Sequence, residues 1–184
     1  MRSFLQCQVV KPPLGLDEIP GGAAIDPVLS GGIAPRSAPA RLASLTDLPI
    51  NTADLIAAVA SASDGAVSVF IGTVRNQNEG RAVTGITYEG YLPMAQAELE
   101  AIASEVCMAT PGVAVGVMHR LGYLSVGEVS VAIAASHAHR RQAISACTRV
   151  IEEIKVRLPV WKHEHYVGAD SEWLEGGGAE TGHK

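Results

Sequence analysis

The residues best suited to chemistry are concentrated in the segment 136–167, a net basic part of an acidic chain. The chain has 184 residues and a formal net charge of −5, whereas this segment carries six basic and three acidic side chains and four of the six histidines. Binding to nucleic acid requires a broad basic face, so the charge distribution argues against a nucleic-acid partner. A single cationic cluster instead predicts a site for a small anionic ligand.

The first candidate site is the stretch 136–141, SHAHRR, where a predicted strand meets a long predicted helix. A helix N-terminus attracts anions because its first backbone N–H groups are unpaired and it carries a partial positive charge. Arg140 and Arg141 are unfavourable there unless something negative is bound, so the stretch predicts a phosphate or carboxylate site. The alternative is that Ser136 caps the helix and both arginines point into water.

The second candidate site is a pair of lysines on either side of Pro159. Lys155 borders the predicted apolar stripe of the long helix, and a chain reversal after Pro159 can bring Lys162 back near it. Two partly desolvated ammonium groups in one pocket could transfer protons or stabilise developing negative charge. The alternative is two surface lysines whose apolar stems lie along the protein.

Histidines and one further arginine complete the set of candidate residues. The pairs His137/His139 and His163/His165 could in principle bind a metal. We predict no metal and no other cofactor, because two side chains at a helix start do not project together and no carboxylate or cysteine completes a known ligand spacing. Arg75, at the end of a predicted strand, is a plausible third cation for the anion pocket.

Interleaved strands and helices must position these residues. Alternating or β-branched runs predict strands, and apolar residues at three- and four-residue steps predict helices. The predicted strands are 41–50, 66–74, 83–91, 113–119, 128–135 and 160–166, and the predicted helices run from 52 to about 63, from 94 to 109 and from 138 to 158. The stripe expected to be buried in the last helix consists of Ile144, Cys147, Ile151, Ile154 and Leu158.

The expected pairing of these strands sets the fold class. We expect the strand 66–74 to be well buried and to pair with 83–91, and the strands 113–119 and 128–135 to form a hairpin. The hairpins imply antiparallel pairing, so the prediction is an α+β fold, a two-layer arrangement of a mostly antiparallel sheet with helices on one side.

The chain divides by composition into an arm at 1–40 rich in proline and glycine, one domain at 41–175, and a flexible tail at 176–184. No apolar run approaches the roughly 20 residues that a bilayer requires, and the first residues do not form a secretory signal. We therefore expect a cytoplasmic protein with no membrane segment. The odd number and wide spacing of Cys7, Cys107 and Cys147 predict buried free thiols.

Four motifs taken together resemble the molybdopterin synthase catalytic (large) subunit family. They are GAVSVFIGTVRNQN, VMHRLGYLSVGE, SHAHRRQAISA and EIKVRLPVWKHE, in this order between about residues 42 and 175. The resemblance implies an α/β-hammerhead type of fold, a homodimer, and a heterotetramer with two copies of a small ubiquitin-like sulfur-carrier subunit. It also implies a sulfurtransferase of molybdenum cofactor biosynthesis. The carrier's C-terminal thiocarboxylate would supply two sulfurs that convert cyclic pyranopterin monophosphate (precursor Z), a pterin phosphate, to molybdopterin.

The resemblance also implies roles for single residues. Lys155 and Lys162 match the catalytic lysines, and His139 and Arg140 match residues that reach the substrate from the neighbouring protomer. The implied substrate-binding positions are Thr73, Val74, Arg75, His139, Arg140, Lys155, Lys162, His163 and Glu164. Thr73 and His163 depart from the lysine and arginine of other members. An alternative that stays open is a non-catalytic phospholigand-binding or assembly module.

Overall fold

The structure, a computed structural model, describes residues 41–168 and 172–174. The helices are α1 (Thr52–Val59), α2 (Leu92–Ala109) and α3 (Arg140–Arg157). The strands are β1 (Arg41–Thr46), β2 (Ala66–Thr73), β3 (Gln77–Asn78), β4 (Arg81–Gly90), β5 (Ala114–Arg120), β6 (Gly122–Ser125), β7 (Val129–His137), β8 (Val160–Tyr166) and β9 (Glu172–Leu174). The predicted arm, the tail and Cys7 lie outside the described residues, whereas Cys107 and Cys147 are buried free thiols.

The first sheet has four strands in the order β1-β5-β7-β2. The predicted hairpin partners β5 and β7 pair antiparallel, and β1 runs parallel to β5 at the edge of the sheet. Helices α2 and α3 cover one face of this sheet and build the larger core, in which Leu99, Ile102 and Ile133 are fully buried. The mixed α/β composition with mainly antiparallel pairing confirms the predicted fold class.

Helix α1 lies on the opposite face of the same sheet, so the expectation that all helices share one side was wrong. Leu55 and Val59 pack against alanines of β5 and β7. The helix approaches closely because Gly116 has no side chain: a Cβ atom there would lie 2.8 Å from Leu55 Cδ1 and 2.9 Å from Val59 Cγ1. Both faces of β5 and β7 are therefore apolar, a pattern typical of strands covered on both sides.

Strand β2 differs from its prediction in both burial and pairing. It pairs with β7 rather than with β4, and it lies at the edge of the first sheet. Its residues alternate between half-buried and exposed, and Val67, Val69 and Ile71 are between 39% and 46% exposed. A β-branched run indicates a strand but cannot distinguish a central strand from an edge strand, because the distinction depends on distant partners.

The second sheet is built around β4, with β3 and β8 as neighbours, β9 beyond β8, and β6 also paired with β4. The register of β4 and β8 places Tyr88 opposite Lys162. The segment between β5 and β7, predicted as a loop, contains β6, whose Leu124 is fully buried. Leu124 packs in a separate apolar cluster with Val74, Val83, Ile86 and Tyr166.

The predicted buried stripe of the third helix is confirmed at Cys147, Ile154 and Leu158 but not at Ile144. Ile144 is 55% exposed, so its predicted burial was wrong. The buried residues of the helix are Ala143, Ala146, Cys147, Val150 and Ile154.

The turns around the helices show smaller differences. Asn51 caps α1 by accepting from the Ala53 backbone N–H, and the helix ends at Val59, several residues earlier than expected. Ser136 does not cap α3: its buried hydroxyl donates to the carbonyl of Val59, and the N-cap is His139. Within the described ranges, no helix is both long and apolar enough to cross a bilayer.

Candidate active site

A small cleft of about 100 Å³ opens where the end of β2 meets the second sheet. Its lining residues are Thr73, Arg75, Gln77, Asn78, Val83, Ile86, Tyr88, Lys162 and Glu164. Four of the predicted site residues, Thr73, Arg75, Lys162 and Glu164, are thus brought together, although they come from two sheets and are up to 91 positions apart in the chain (73 to 164).

A buried carboxylate holds Lys162 in this cleft. Glu164 is only 2% exposed, and its Oε1 lies 3.2 Å from the Lys162 Nζ. The Tyr166 hydroxyl donates to the other carboxylate oxygen over 2.7 Å. Residues 162, 164 and 166 point to the same face of β8 because side chains alternate along a strand. A buried charge is costly unless it is paired, so this carboxylate restrains the ammonium group of Lys162.

The network extends from Tyr166 to Arg75. The Asn78 Nδ2 donates to the Tyr166 hydroxyl and the Arg75 guanidinium donates to Asn78 Oδ1, each over 3.4 Å. The guanidinium of Arg81 lies 3.6 Å from the centre of the Tyr166 ring. The hydrogen bond from Asn78 lowers the pKa of Tyr166, but the bond to Glu164 and burial outweigh it and leave this pKa raised. The tyrosine therefore stays protonated and donates to the carboxylate.

Tyr88 and His119 support the cleft from inside the protein. Burial raises the pKa of Tyr88, although a hydrogen bond with Ser130 opposes the change. The His119 ring meets Tyr88 edge-on at 5.2 Å between centroids, and its Nδ1 hydrogen bonds the Arg120 carbonyl over 3.0 Å. Burial lowers the pKa of His119 to about 4, so the ring is neutral near pH 7. An uncharged aromatic pair thus backs the cations of the cleft.

Three other predicted residues do not line the cleft. Val74 is 2% exposed and belongs to the apolar cluster beneath it. His163 alternates with Lys162 and Glu164 and so faces the other side of β8, where its ring lies 4.8 Å from that of His165. Lys155 is exposed in the last turn of α3 and is not among the residues that line the cleft. The predicted meeting of Lys155 and Lys162 in one pocket therefore stays a prediction.

His139 and Arg140 lie at the opposite end of the first sheet. The register of β2 with β7 places Ala66 opposite His137, next to these residues, and Thr73 opposite Val129, at the cleft. Seven steps at about 3.3 Å each separate the two ends by roughly 23 Å. Both side chains are exposed, and the His139 backbone N–H donates to His137 Nδ1. One chain alone cannot bring His139 and Arg140 to its own cleft.

The histidine pairs have no further ligands within the described part of the chain. The rings of His137 and His139 are 5.7 Å apart, and residues 41–168 and 172–174 contain no group of three or more His, Cys, Asp or Glu side chains that could hold a metal ion.

Sequence reasoning missed Asn78, Tyr88, His119 and Tyr166. The alternation of Lys162, Glu164 and Tyr166 along β8 was a usable signal for Tyr166. For Tyr88 and His119 no local signal exists, because they reach the cleft only through the pairing of distant strands.

Comparison with known proteins places these features in a family. The family model described as "MoaE protein" matches residues 45–157. The molybdopterin synthase catalytic subunit of Pyrococcus abyssi is 42% identical over 68% of this chain and 84% of its own length. The protein of the same name from Bos taurus is 44% identical over 59% of this chain, and the match spans only 58% of that relative.

A solved structure supports the same assignment. The crystal structure of molybdopterin synthase from Staphylococcus aureus superposes with a TM-score of 0.69 at 34% identity, over 72% of this chain and 96% of the other. The family match over residues 45–157 includes α1, α2, α3, Thr73 at the end of β2, and Arg75 just beyond that strand. The chain therefore belongs to the MoaE protein family, whose relatives are named molybdopterin synthase catalytic subunits.

Proposed function

We propose that this chain is the catalytic subunit of a molybdopterin synthase and acts in molybdenum cofactor biosynthesis. Its reaction is the transfer of two sulfurs from the thiocarboxylated C-terminus of a small ubiquitin-like carrier subunit to cyclic pyranopterin monophosphate. The observation that carries the proposal, beyond family membership, is the Lys162 ammonium held beside Arg75 by the buried carboxylate of Glu164.

Anion binding is the first task of such a site. Arg75 and Lys162 supply two cations in the cleft. The N-terminus of α3, together with Arg140, is a second place where an anion can bind. Pockets that enclose a small molecule usually measure roughly 300–1,000 Å³, so a cleft of about 100 Å³ is only part of a substrate site. We propose that a second copy of the chain supplies His139 and Arg140 and completes the site.

Lys155 is proposed to act at the rim of the same cleft. Helix α3 turns back after β7 and packs against both β7 and β2. Lys155 is fifteen residues beyond Arg140, which corresponds to about 22 Å along a helix. This length nearly equals the roughly 23 Å between the two ends of β2. This geometry favours a position for Lys155 near the end of β2 that carries Thr73.

The chemistry then follows from charge. The thiocarboxylate sulfur forms a bond to a side-chain carbon of the pterin as a C–O bond at that carbon breaks. Water then adds to the acyl carbon, the acyl C–S bond breaks, and the carrier leaves as a carboxylate. Negative charge develops at the acyl oxygen during this addition. Preorganised ammonium groups stabilise such charge more effectively than water does, because they need no reorganisation during the reaction. The sulfur comes from the partner, so the buried thiols of Cys107 and Cys147 need no catalytic role; burial also raises the pKa of Cys147 and disfavours its thiolate.

Reconstitution with thiocarboxylated carrier and cyclic pyranopterin monophosphate tests the proposal, with formation of the dithiolene as the readout. Lys162→Ala and Lys155→Ala should each slow product formation by about 10²-fold or more, the usual effect of removing one charge-stabilising group. Arg149→Ala is the matched control, because it removes an exposed cation of α3 outside the cleft. Near-normal turnover of both lysine variants would contradict the proposal, and tight pterin binding by the unaltered protein without sulfur transfer would favour a non-catalytic phospholigand-binding module.

A further inference from the structure

The segment 120–128, which belongs to the motif VMHRLGYLSVGE, connects the two sheets. It runs from the last residue of β5 in the first sheet, through β6 in the second sheet, to the start of β7 in the first sheet. Arg75 follows β2 of the first sheet, whereas Lys162 lies on β8 of the second sheet. The distance between these two cations therefore depends on how the sheets are joined, and this segment is one of the connections between them.

The end of the segment binds the residue that precedes Arg75. The Val74 N–H donates to the Glu128 carbonyl over 3.0 Å, and the Gly127 N–H donates to the Val74 carbonyl over 2.8 Å. Both backbone polar groups of Val74 are thus bonded to residues 127 and 128. The Val74 side chain also packs with Leu124 of the same segment, in the cluster beneath the cleft. The segment therefore restrains the point at which the chain leaves β2.

The ladder between β2 and β7 is irregular just before this point. Its register shifts between Gly72 and Thr73, as in a β-bulge. A bulge interrupts the regular pairing of a strand and often redirects a side chain beside an active site. Beyond the irregularity, the two bonds of Val74 to residues 127 and 128 continue the pairing.

The carboxylate of Glu128 closes the turn 125–128. The Glu128 N–H donates to the Ser125 carbonyl over 3.1 Å, and the Ser125 N–H donates to the Glu128 carboxylate over 2.7 Å. Gly127 has a φ of 88°, a left-handed conformation that glycine adopts at little cost. A turn closed by both a backbone bond and a side-chain bond has little freedom to move Glu128 away from Val74.

A largely buried arginine holds the same carboxylate. The Arg120 Nη1 donates to the other oxygen of Glu128 over 2.7 Å, and the Arg120 side chain is only 12% exposed. Within the described residues the buried Nε of Arg120 has no hydrogen-bond partner. A buried cation is costly without a counter-charge, so the two side chains restrain each other. The hydrogen bonds from Arg120 and from the Ser125 N–H also lower the pKa of Glu128, which is therefore ionised near pH 7.

We propose that Glu128 is a positioning residue: by fixing the turn 125–128 against Val74, it places Arg75 in the cleft beside Lys162. This inference rests on the proposed function in one respect, namely that Arg75 binds the pterin phosphate. Glu128 is not among the residues that line the cleft, so it acts through Arg75. Loss of its carboxylate should therefore weaken substrate binding and leave the charge stabilisation by Lys162 unchanged.

Nuclear magnetic resonance relaxation of Arg75 tests the positioning without substrate. Glu128→Ala should lower the order of the Arg75 backbone N–H and Nε–H on the ps–ns timescale. Glu153→Ala is the matched control, because it also removes a carboxylate paired with an arginine but leaves Arg157 its two partners on α2. An Arg75 that is as ordered in folded Glu128→Ala as in the control would overturn the inference.

Steady-state kinetics with excess thiocarboxylated carrier provide the second test. Glu128→Ala should raise the KM for cyclic pyranopterin monophosphate about tenfold, with kcat within about twofold, because the charged contact from Arg75 is weakened. The Arg75→Ala/Glu128→Ala double variant should raise KM no further than Arg75→Ala alone, because the carboxylate acts through the arginine. Losses that multiply in the double variant would contradict this route of action.

A conservative variant provides for the case in which Glu128→Ala does not fold. Glu128→Gln keeps an oxygen that can accept from the Ser125 N–H but loses the charge paired with Arg120, so its KM should rise less than that of Glu128→Ala. It then replaces Glu128→Ala in both tests. Arg75 order and KM that both equal those of the unaltered protein would overturn the inference.

The relaxation experiment needs no turnover, so the two proposals can fail separately. An unaltered protein that transfers no sulfur, but whose Arg75 loses order in Glu128→Ala, would refute the function and leave the positioning role standing. An active protein whose Arg75 is indifferent to Glu128→Ala would refute the positioning role alone.

Discussion

At the scale of single residues, Glu164 organises the cleft. Its carboxylate accepts from the Tyr166 hydroxyl and pairs with the Lys162 ammonium, and Tyr166 in turn is bonded to Asn78. Each of these groups is oriented by its neighbour, so Lys162 has less freedom than a surface lysine. This restraint matters for catalysis because charge stabilisation depends on donors that are already in place.

His119 provides a prediction about pH at the same scale. Burial lowers its folded-state pKa to about 4 from the usual 6.5. Between these two values the unfolded chain binds a proton that the folded protein excludes, so this contribution to stability is complete above pH 6.5 and decreases as the pH falls. We expect the free energy of unfolding to drop by up to about 1.4 kcal/mol per pH unit from this group.

Urea unfolding between pH 7.5 and 5 measures this effect. His119→Phe keeps a ring against Tyr88 but cannot titrate, so its free energy of unfolding should decline less steeply with falling pH than that of the unaltered protein. The variant also loses the hydrogen bond to the Arg120 carbonyl, which changes its absolute stability. The quantity to compare is therefore the slope of the free energy of unfolding against pH. Parallel slopes for the two proteins would mean that His119 does not control this part of the pH dependence.

At the scale of elements, α3 carries Arg140 at its N-terminus and Lys155 in its C-terminal turn. Its C-terminal turn is tied to α2 by Arg157, whose guanidinium lies 2.7 Å from both Glu98 and Glu105 and 3.2 Å from Glu153. These contacts determine where the chain leaves the helix before Pro159 and enters β8. The position of Lys162 thus depends on the docking of α3 as well as on the pairing of β8.

The buried face of α3 gives a prediction with an internal control. Ile154 is 6% exposed, whereas Ile144 on the same helix is 55% exposed. Ile154→Ala should lower the free energy of unfolding by about 2–5 kcal/mol, because it removes buried methyl groups and leaves a cavity. Ile144→Ala should change it by less than about 0.5 kcal/mol, as is usual for surface positions. Equal losses of unfolding free energy, measured by chemical denaturation, would instead support the burial of Ile144 that the sequence predicted.

At the scale of the whole molecule, the proposed dimer predicts complementation between two inactive variants. Arg140→Ala removes a group that one copy gives to its neighbour, and Lys162→Ala removes a group that it keeps for its own cleft. A hybrid dimer has one site with both groups intact and one with neither. Random mixing of equal amounts makes half of the dimers hybrid, so sulfur transfer should recover to about one quarter of the unaltered rate in a symmetric two-site dimer.

The complementation experiment requires that subunits exchange, which mild denaturation and refolding of the mixture ensures. Refolding each variant alone is the control and should restore no activity. If the mixture stays inactive while labelled subunits demonstrably exchange, Arg140 and Lys162 act within the same copy or not at all. That result would contradict the shared site.

Much of the architecture was predictable from local patterns. The run 66–74 and the alternation in 160–166 each indicated a strand, and both strands are present. The cationic segment was also visible, and Lys162 does line the cleft. The errors concern Ile144, the pairing of β2 and the side of the sheet that α1 covers. Each of these depends on which surfaces meet, and spacing within one element does not contain that information.

The sequence by itself determined the type and order of most elements, the cation-rich segment and the motifs of the family, because propensity, turn residues and charge act over a few neighbouring positions. Only the tertiary structure decided that Arg75 and Lys162 share a cleft while Arg140 lies at the far end of the same sheet. It also decided that Tyr88 and His119 support that cleft. Strand pairing and helix docking join residues that are tens of positions apart, and the free energy that selects one arrangement comes from burying their surfaces together.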